Sequence, residues 1–150
     1  MKTYKSYTST IKLVKEPSDI LKAKITSSKD CADYARQFYF EDIEIFESMF
    51  IILLNRQNIT ECWVKISQGG TVGTVVDVKL IAKYAIDSLA CSVIMVHNHP
   101  SGNNQPSDCD KLITDKIKNG LKLLDINLID HIILTPETGK YYSFADEGLI

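Results

Sequence analysis

Glu47 opens the run Ser48-Met49-Phe50-Ile51-Ile52-Leu53-Leu54, the segment that most constrains the fold of this chain. A continuous apolar stretch of this length, rich in Ile and Phe, reads as a strand buried on both faces. A strand of that kind must be covered on each side, so it commits the chain to a layered fold. Asn55-Arg56-Gln57-Asn58 is a turn, and Ile59 to Ser67 alternates more. The two segments are expected to form a hairpin.

Helical and extended patterns alternate along the rest of the chain. Ser27-Ser28-Lys29-Asp30 reads as a helix start, with Ser27 as cap and Asp30 bonding back at the positive end of the dipole. That helix is expected to reach about Phe40, with Ala32, Ala35 and Phe38 on one face. Gly69-Gly70 and Gly73 mark a loop that can border a substrate groove. Asp77 can cap a helix through about Ala90, with Leu80, Ile81, Tyr84, Ala85, Ile86 and Leu89 as its apolar side. Ser92 to Val96 is a short buried strand. Ser107 begins a helix to about Leu124, with the stripe Leu112, Ile113, Ile117, Leu121 and Leu124. Leu128 to Thr135 is a strand, Pro136-Glu137-Thr138-Gly139 a turn, and Tyr141 to Phe144 a last strand. The alternation indicates a single α/β domain, a mixed β-sheet flanked by helices. It occupies residues 27–150, and residues 1–26 form an N-terminal strand or arm that includes Tyr7 to Lys15.

With 150 residues the chain suits one domain and can bury about 68–70% of its unfolded surface without staples. Its 17 basic and 19 acidic residues leave a net charge of −2, which does not support an electrostatic grip on nucleic acid. No stretch approaches the ~18 apolar residues of a membrane helix. Met1-Lys2-Thr3-Tyr4-Lys5 lacks the apolar core of a signal peptide. The expectation is a cytoplasmic protein with no membrane partner. Cys31, Cys62, Cys91 and Cys109 contain no C-x-x-C pair and read as free thiols.

The chemistry-bearing residues follow the strand that ends at Val96. His97 and His99 are separated by one residue, so in an extended segment they point to the same side. Pro100 favours that conformation for His99. Asp110 lies in the first turn of the next helix, after a loop rich in Gly, Asn and Pro that can fold back. Two imidazoles and a carboxylate suit Zn²⁺, and three protein ligands leave its fourth position open. Such an ion lowers the pKa of bound water to about 7 and polarises carbonyls. A base must come from another segment. Glu47, at the mouth of the apolar strand, is the candidate, with Glu44 and Glu61 as alternatives.

His97-Asn98-His99-Pro100, Ser107 and Asp110 together resemble the JAMM metalloprotease motif, which an upstream Glu completes. The wider text resembles the RadC-like branch, in Phe50 to Arg56, Ser67-Gln68-Gly69-Gly70, His97 through Gly102, Asp130-His131, and Ser143-Phe144-Ala145-Asp146-Glu147-Gly148. This resemblance covers roughly residues 25 to 150. It implies a JAB/MPN-type fold with cytidine-deaminase-like layering and a zinc-dependent hydrolase. His97, His99 and Asp110 would bind Zn²⁺, Glu47 would be the general acid/base, and Ser107 would stabilise the oxyanion. The substrate implied is a peptide or isopeptide. The RadC-like branch also carries an old DNA-repair label. Its longer members have an N-terminal helix-hairpin-helix region, and the sequence before Ser27 is expected to be too short for one.

Each residue also has an ordinary reading. His97 and His99 can be turn histidines bonded to backbone, and Ser107-x-x-Asp110 is also a capping box. In that box Ser107 can serve both roles, whereas for Asp110 capping and metal binding compete. His131 is expected to be a core histidine on a strand rather than, with Asp130, a support for the ligands. Cys109 reads as incidental, and the open sheet edge could hold a peptide by strand addition. Alternative functions are a metal-dependent DNA-processing protein and a non-catalytic MPN interaction module.

Overall fold

The computed structural model describes residues 14–39, 41–69 and 76–150. Its elements run in the order α1 (Ser28–Ala35), β1 (Ser48–Leu54), β2 (Thr60–Gln68), α2 (Val78–Asp87), β3 (Ser92–Asn98), α3 (Asp108–Lys122), β4 (Asn127–Leu134) and β5 (Tyr141–Ser143). Short 3-10 turns at Arg36–Phe38 and Glu41–Glu44 connect α1 to β1. The strands form one mixed sheet in the order β2-β1-β3-β4-β5. β1 is antiparallel to β2 and to β3, β3 is parallel to β4, and β4 is antiparallel to β5. The parallel pair requires a crossover, and α3 supplies it.

β1 is buried at every position, as its apolar run demands. Phe50, Ile52 and Leu54 pack with Tyr34, Phe38 and Tyr39 on the α1 side. Met49, Ile51 and Leu53 pack with Ile81, Ala85, Ile117 and Leu121 of α2 and α3. Three layers result, with the sheet in the middle. β3 is divided in the same way: Ile94 and Val96 face α1, whereas Val93 and Met95 face α3. By alternation His97 faces α3 and Asn98 faces α1.

An irregularity in β4 shapes the site. Val93 pairs with Leu128 but Ile94 pairs with Asp130, so Ile129 is an extra residue. An extra residue reverses the alternation beyond it. Leu128 accordingly packs on the α2/α3 side and Ile132 on the α1 side. His131 is thereby turned toward α3, next to His97.

Several expected boundaries move. α1 is α-helical only to Ala35, then tightens into a 3-10 turn, and Phe40 lies outside the described residues. Ser27 caps α1 by accepting the Asp30 N–H at 3.1 Å, while Asp30 accepts from the Thr26 N–H and hydroxyl. α2 stops at Asp87, and Ile86 and Leu89 are exposed rather than part of its apolar side. Leu89 adopts a left-handed φ of 53° where the Ala90 N–H returns to the Ala85 carbonyl, so its side chain leaves the helix face. β3 continues through His97 and Asn98, which pair with Ile133 and Leu134. The buried stripe of α3 is Asp110, Thr114, Ile117 and Leu121, while Leu112 is 71% exposed and Leu124 is also exposed. Two polar residues occupy the inner face, so a stripe drawn from apolar residues alone is rotated. The Tyr7–Lys15 arm up to Leu13, and the loop through Gly70 and Gly73, lie outside the described residues.

The rotated stripe is testable by urea unfolding. Ile117→Ala should cost about 2–5 kcal/mol, whereas Leu112→Ala should stay within about 0.5 kcal/mol of the parent.

Candidate metal centre

Four chain segments meet at the α3-facing corner of the sheet. β3 brings His97 to the sheet end, fully buried. The chain then leaves the sheet at His99. Gly102, at a left-handed φ of 79°, closes a turn in which its N–H bonds the His99 carbonyl at 3.0 Å. That turn returns the Asn103 carbonyl to 2.7 Å from His99 Nδ1. α3 contributes Asp110 through the capping box with Ser107. Met49 pairs with His97 across β1 and β3, and continuing that register sets Glu47 opposite His99.

Among the described residues, Glu47, His97, His99 and Asp110 form a group whose potential ligand atoms all lie within 4.8 Å of one another. His97 Nε2 is 2.9 Å from His99 Nε2 and 3.3 Å from Asp110 Oδ1. His99 Nε2 is 3.6 Å from Asp110 Oδ2. These separations bracket the edge of roughly 3.3–3.4 Å expected of a tetrahedron with metal–ligand bonds of about 2.0–2.1 Å.

The surrounding hydrogen bonds decide where the imidazole protons lie. The Thr114 hydroxyl is 2.5 Å from the Asp110 carbonyl oxygen, which can only accept, so Thr114 donates to it. Thr114 Oγ1 therefore accepts from His131 Nδ1, at 2.6 Å. Neutral His131 then presents a bare Nε2, which accepts from His97 Nδ1 at 2.8 Å. His97, protonated on Nδ1, directs a bare Nε2 into the site. His99 likewise donates from Nδ1 to the Asn103 carbonyl and keeps Nε2 bare. Two lone pairs and a carboxylate thus face one another, an arrangement that repels itself unless a cation lies between them. The residues present fit a divalent metal, with His97, His99 and Asp110 able to hold it.

Burial opposes the charge on Asp110, but a proton or cation shared with His97 and His99, together with the hydrogen bond from Ser107, outweighs it and holds the carboxyl well below the usual range. Burial pulls His99 down, yet Asp110, the Asn103 carbonyl and the nearby Glu47 raise its pKa overall. His131 is pushed well below its ordinary value, by complete burial first and then by His97. A neutral His131 is what the proton assignment requires.

The capping box leaves one Asp110 oxygen available, because the two oxygens have different partners. Oδ2 accepts from the Ser107 N–H at 2.7 Å and from the Ser107 hydroxyl at 2.6 Å, leaving Oδ1 toward His97. Glu47 is half-buried, while Glu44 is exposed in the preceding 3-10 turn. Glu61 pairs with Lys22 and accepts from Asn55, on β2. Asp108 and Cys109 are exposed, and Asp108 faces Lys111. Asp130 stays outside the group: it accepts from Ser143 at 2.7 Å and from the Ala145 N–H at 3.0 Å. His131 is a buried strand histidine as expected, and it also supports His97, which the core reading did not include. Thr114 was not anticipated. Its place one helical turn after Asp110 was the available signal, since it puts both on one face.

A mixed sheet between helices with two histidines at a strand end and an aspartate on the crossover helix is the layout of a JAB-type domain. The model of the RadC-like JAB domain family matches residues 25–149, and the chain belongs to that family. It is 45% identical over 132 residues to a UPF0758 protein of Flavobacterium johnsoniae, covering 87% of this chain and 56% of that one. A UPF0758 protein of Porphyromonas gingivalis is 40% identical over 104 residues, covering 69% of this chain and 45% of the relative. One from Coprothermobacter proteolyticus is 36% identical over 130 residues, covering 85% and 54%. The chain therefore spans about half the length of the curated relatives it matches. The family supports a JAMM-type metal-dependent hydrolase or a RadC-like role, and the relatives' names state no activity. Among the described residues no helix is long and apolar enough to cross a membrane.

Thr114→Val removes the hydroxyl that orients His131 and should weaken metal binding by about 10–100-fold, measured by chelator competition. In chelator, protein stability should peak near pH ~6.5, the ordinary histidine value. As pH rises through the raised pKa of His99, its charged contact with Asp110 is lost. As pH falls below ~6.5, the unfolded chain takes up a proton that buried His131 refuses. Thermal unfolding of Asp110→Asn in chelator should show a weaker alkaline decline, because only the Asn103 carbonyl and Glu47 still raise His99, while the acid decline is kept.

Proposed function

We propose that this chain is a JAMM-type zinc-dependent hydrolase that cleaves an amide bond in a peptide or isopeptide, through a domain spanning 27–150 with 1–26 as an appended arm. The observation that carries the reading is the forced meeting of two bare imidazole nitrogens and the Asp110 carboxylate, with Glu47 beside them. A nitrogen-and-oxygen donor set of this kind suits zinc. Bound there, the ion would supply Lewis acidity, polarising a carbonyl and acidifying water.

The chain's own residues supply the rest. His97, His99 and Asp110 hold the ion, and His131 and the Asn103 carbonyl fix the imidazole orientation. Glu47 takes a proton from the attacking water and returns it to the departing amine nitrogen as the C–N bond breaks. Ser107 donates its hydroxyl proton to Asp110 Oδ2 at rest and can turn it to the developing oxyanion. A net charge of −2 offers little general attraction to phosphate, which favours a peptide over DNA as substrate.

Metal content by mass spectrometry on tag-free protein, beside a quenched-fluorescent peptide library, tests the reading. Near-stoichiometric zinc, lost in Asp110→Asn, is expected. Glu47→Gln should keep the metal and lose about 10²–10⁴-fold in kcat. Undiminished hydrolysis in Asp110→Ala would overturn the proposal.

A further inference from the structure

We propose that Asn98, the residue between the two histidines, is the positioning residue for Glu47. This rests on the reading of Glu47 as the acid/base of a hydrolytic site. Asn98 is completely buried and lies on the α1 side of β3, away from His97. Its Oδ1 accepts the Ser48 N–H at 2.8 Å. Its Nδ2 donates to the Phe46 carbonyl at 2.8 Å and to the Ile43 carbonyl at 2.7 Å. Those partners fix the amide orientation: a flip would set NH₂ against the Ser48 N–H and oxygen against two carbonyls.

The Phe46 carbonyl and the Ser48 N–H belong to the two peptide units that flank Glu47. One side chain therefore grips the backbone on both sides of the base. The third bond, to Ile43, ties down the turn that leads into it. Glu47 precedes β1, so no strand neighbour on its N-terminal side holds it. Its own carbonyl accepts the Gly69 N–H at 2.9 Å, and the Tyr39 hydroxyl bonds the Ser48 carbonyl at 2.8 Å. These contacts anchor the start of β1, but neither reaches the Phe46–Glu47 peptide. Asn98 spans it because successive side chains on β3 point to opposite faces. His97 reaches the ligand group on one face while Asn98 reaches across to the base-bearing segment on the other. The distance between ligands and base is thus set within three consecutive residues, His97 to His99, at the end of β3.

Other side chains at this position would not serve. Aspartate keeps the acceptor for Ser48 but turns both donors into acceptors facing carbonyls. Serine keeps one hydrogen-bonding group, and alanine keeps none.

The test combines hydrogen exchange with a double-mutant cycle on the full chain. In Asn98→Ala, amide exchange should rise at Ser48 and its neighbours back to Ile43, with β3 and β4 unchanged and zinc content retained. On the peptide library, kcat should fall about 10²-fold, the loss that a displacement of about 1 Å can cause, with KM unchanged. In the Glu47→Gln background, Asn98→Ala should cause no further loss, because it acts through the carboxylate already removed. Should Asn98→Ala not fold, Asn98→Ser carries the same measurements. Unchanged exchange at Ser48, exchange rising across the whole sheet, or an equal further loss in the Glu47→Gln background would each overturn the proposal. If the parent protein hydrolyses nothing in the library, the hydrolase reading fails, and the exchange arm still decides whether Asn98 holds the Glu47 segment.

Discussion

The Thr114 hydroxyl has one proton, and the Asp110 carbonyl beside it can only accept. From that single contact the polarity of the buried line follows, through His131 to His97. Each group passes its donor in one direction, so the nitrogen left at the far end is bare. Reversing the line would place two oxygen lone pairs against each other at 2.5 Å. Burial reinforces this, because a low-dielectric interior penalises both a misdirected hydrogen bond and a charged His131. The fold thus leaves the His97 Nε2 bare by means of a hydrogen bond made two residues away from it.

The sheet serves the site through its alternation. β3 is the central strand, covered on both faces, and each face carries a different task. Toward α3 it presents His97 in line with Met95 and the core of the crossover helix. Toward α1 it presents Asn98 to the segment bearing Glu47. A rigid, fully buried strand is well suited to this, since its side chains have little freedom and its two faces are fixed relative to each other. The crossover helix adds Asp110 at its N-terminus, where the capping box with Ser107 holds the carboxylate and the helix dipole favours its charge.

Part of this was legible in the chain. The apolar run at Ser48–Leu54 required a strand buried on both faces. The spacing of His97, His99, Ser107 and Asp110 brought a capping box and a group able to hold a metal into view together. Glu47 stood before the buried strand, but the same polar region offered Glu44, and β2 offered Glu61. The antiparallel pairing of β1 with β3, with Met49 across from His97, places Glu47 beside the histidines, while Glu44 is exposed and Glu61 pairs with Lys22. An α3 stripe drawn from apolar residues includes the exposed Leu112 and Leu124, because the inner face carries Asp110 and Thr114. Polar residues there serve the site, and they hide the apolar period.

Residue type and spacing determined the layered sheet, the buried central strands and the set of donors, because these depend on local periodicity and on what each side chain can bind. The tertiary structure decided which way those donors point. The extra residue Ile129 turns His131 toward His97, and no alternation pattern in β4 announces it. The direction of the hydrogen-bond line, the approach of Asp110 Oδ1 to His97 and the bonds of Asn98 to the peptides flanking Glu47 all join different segments of the chain. Long-range pairing sets them, and that is a property of the folded molecule.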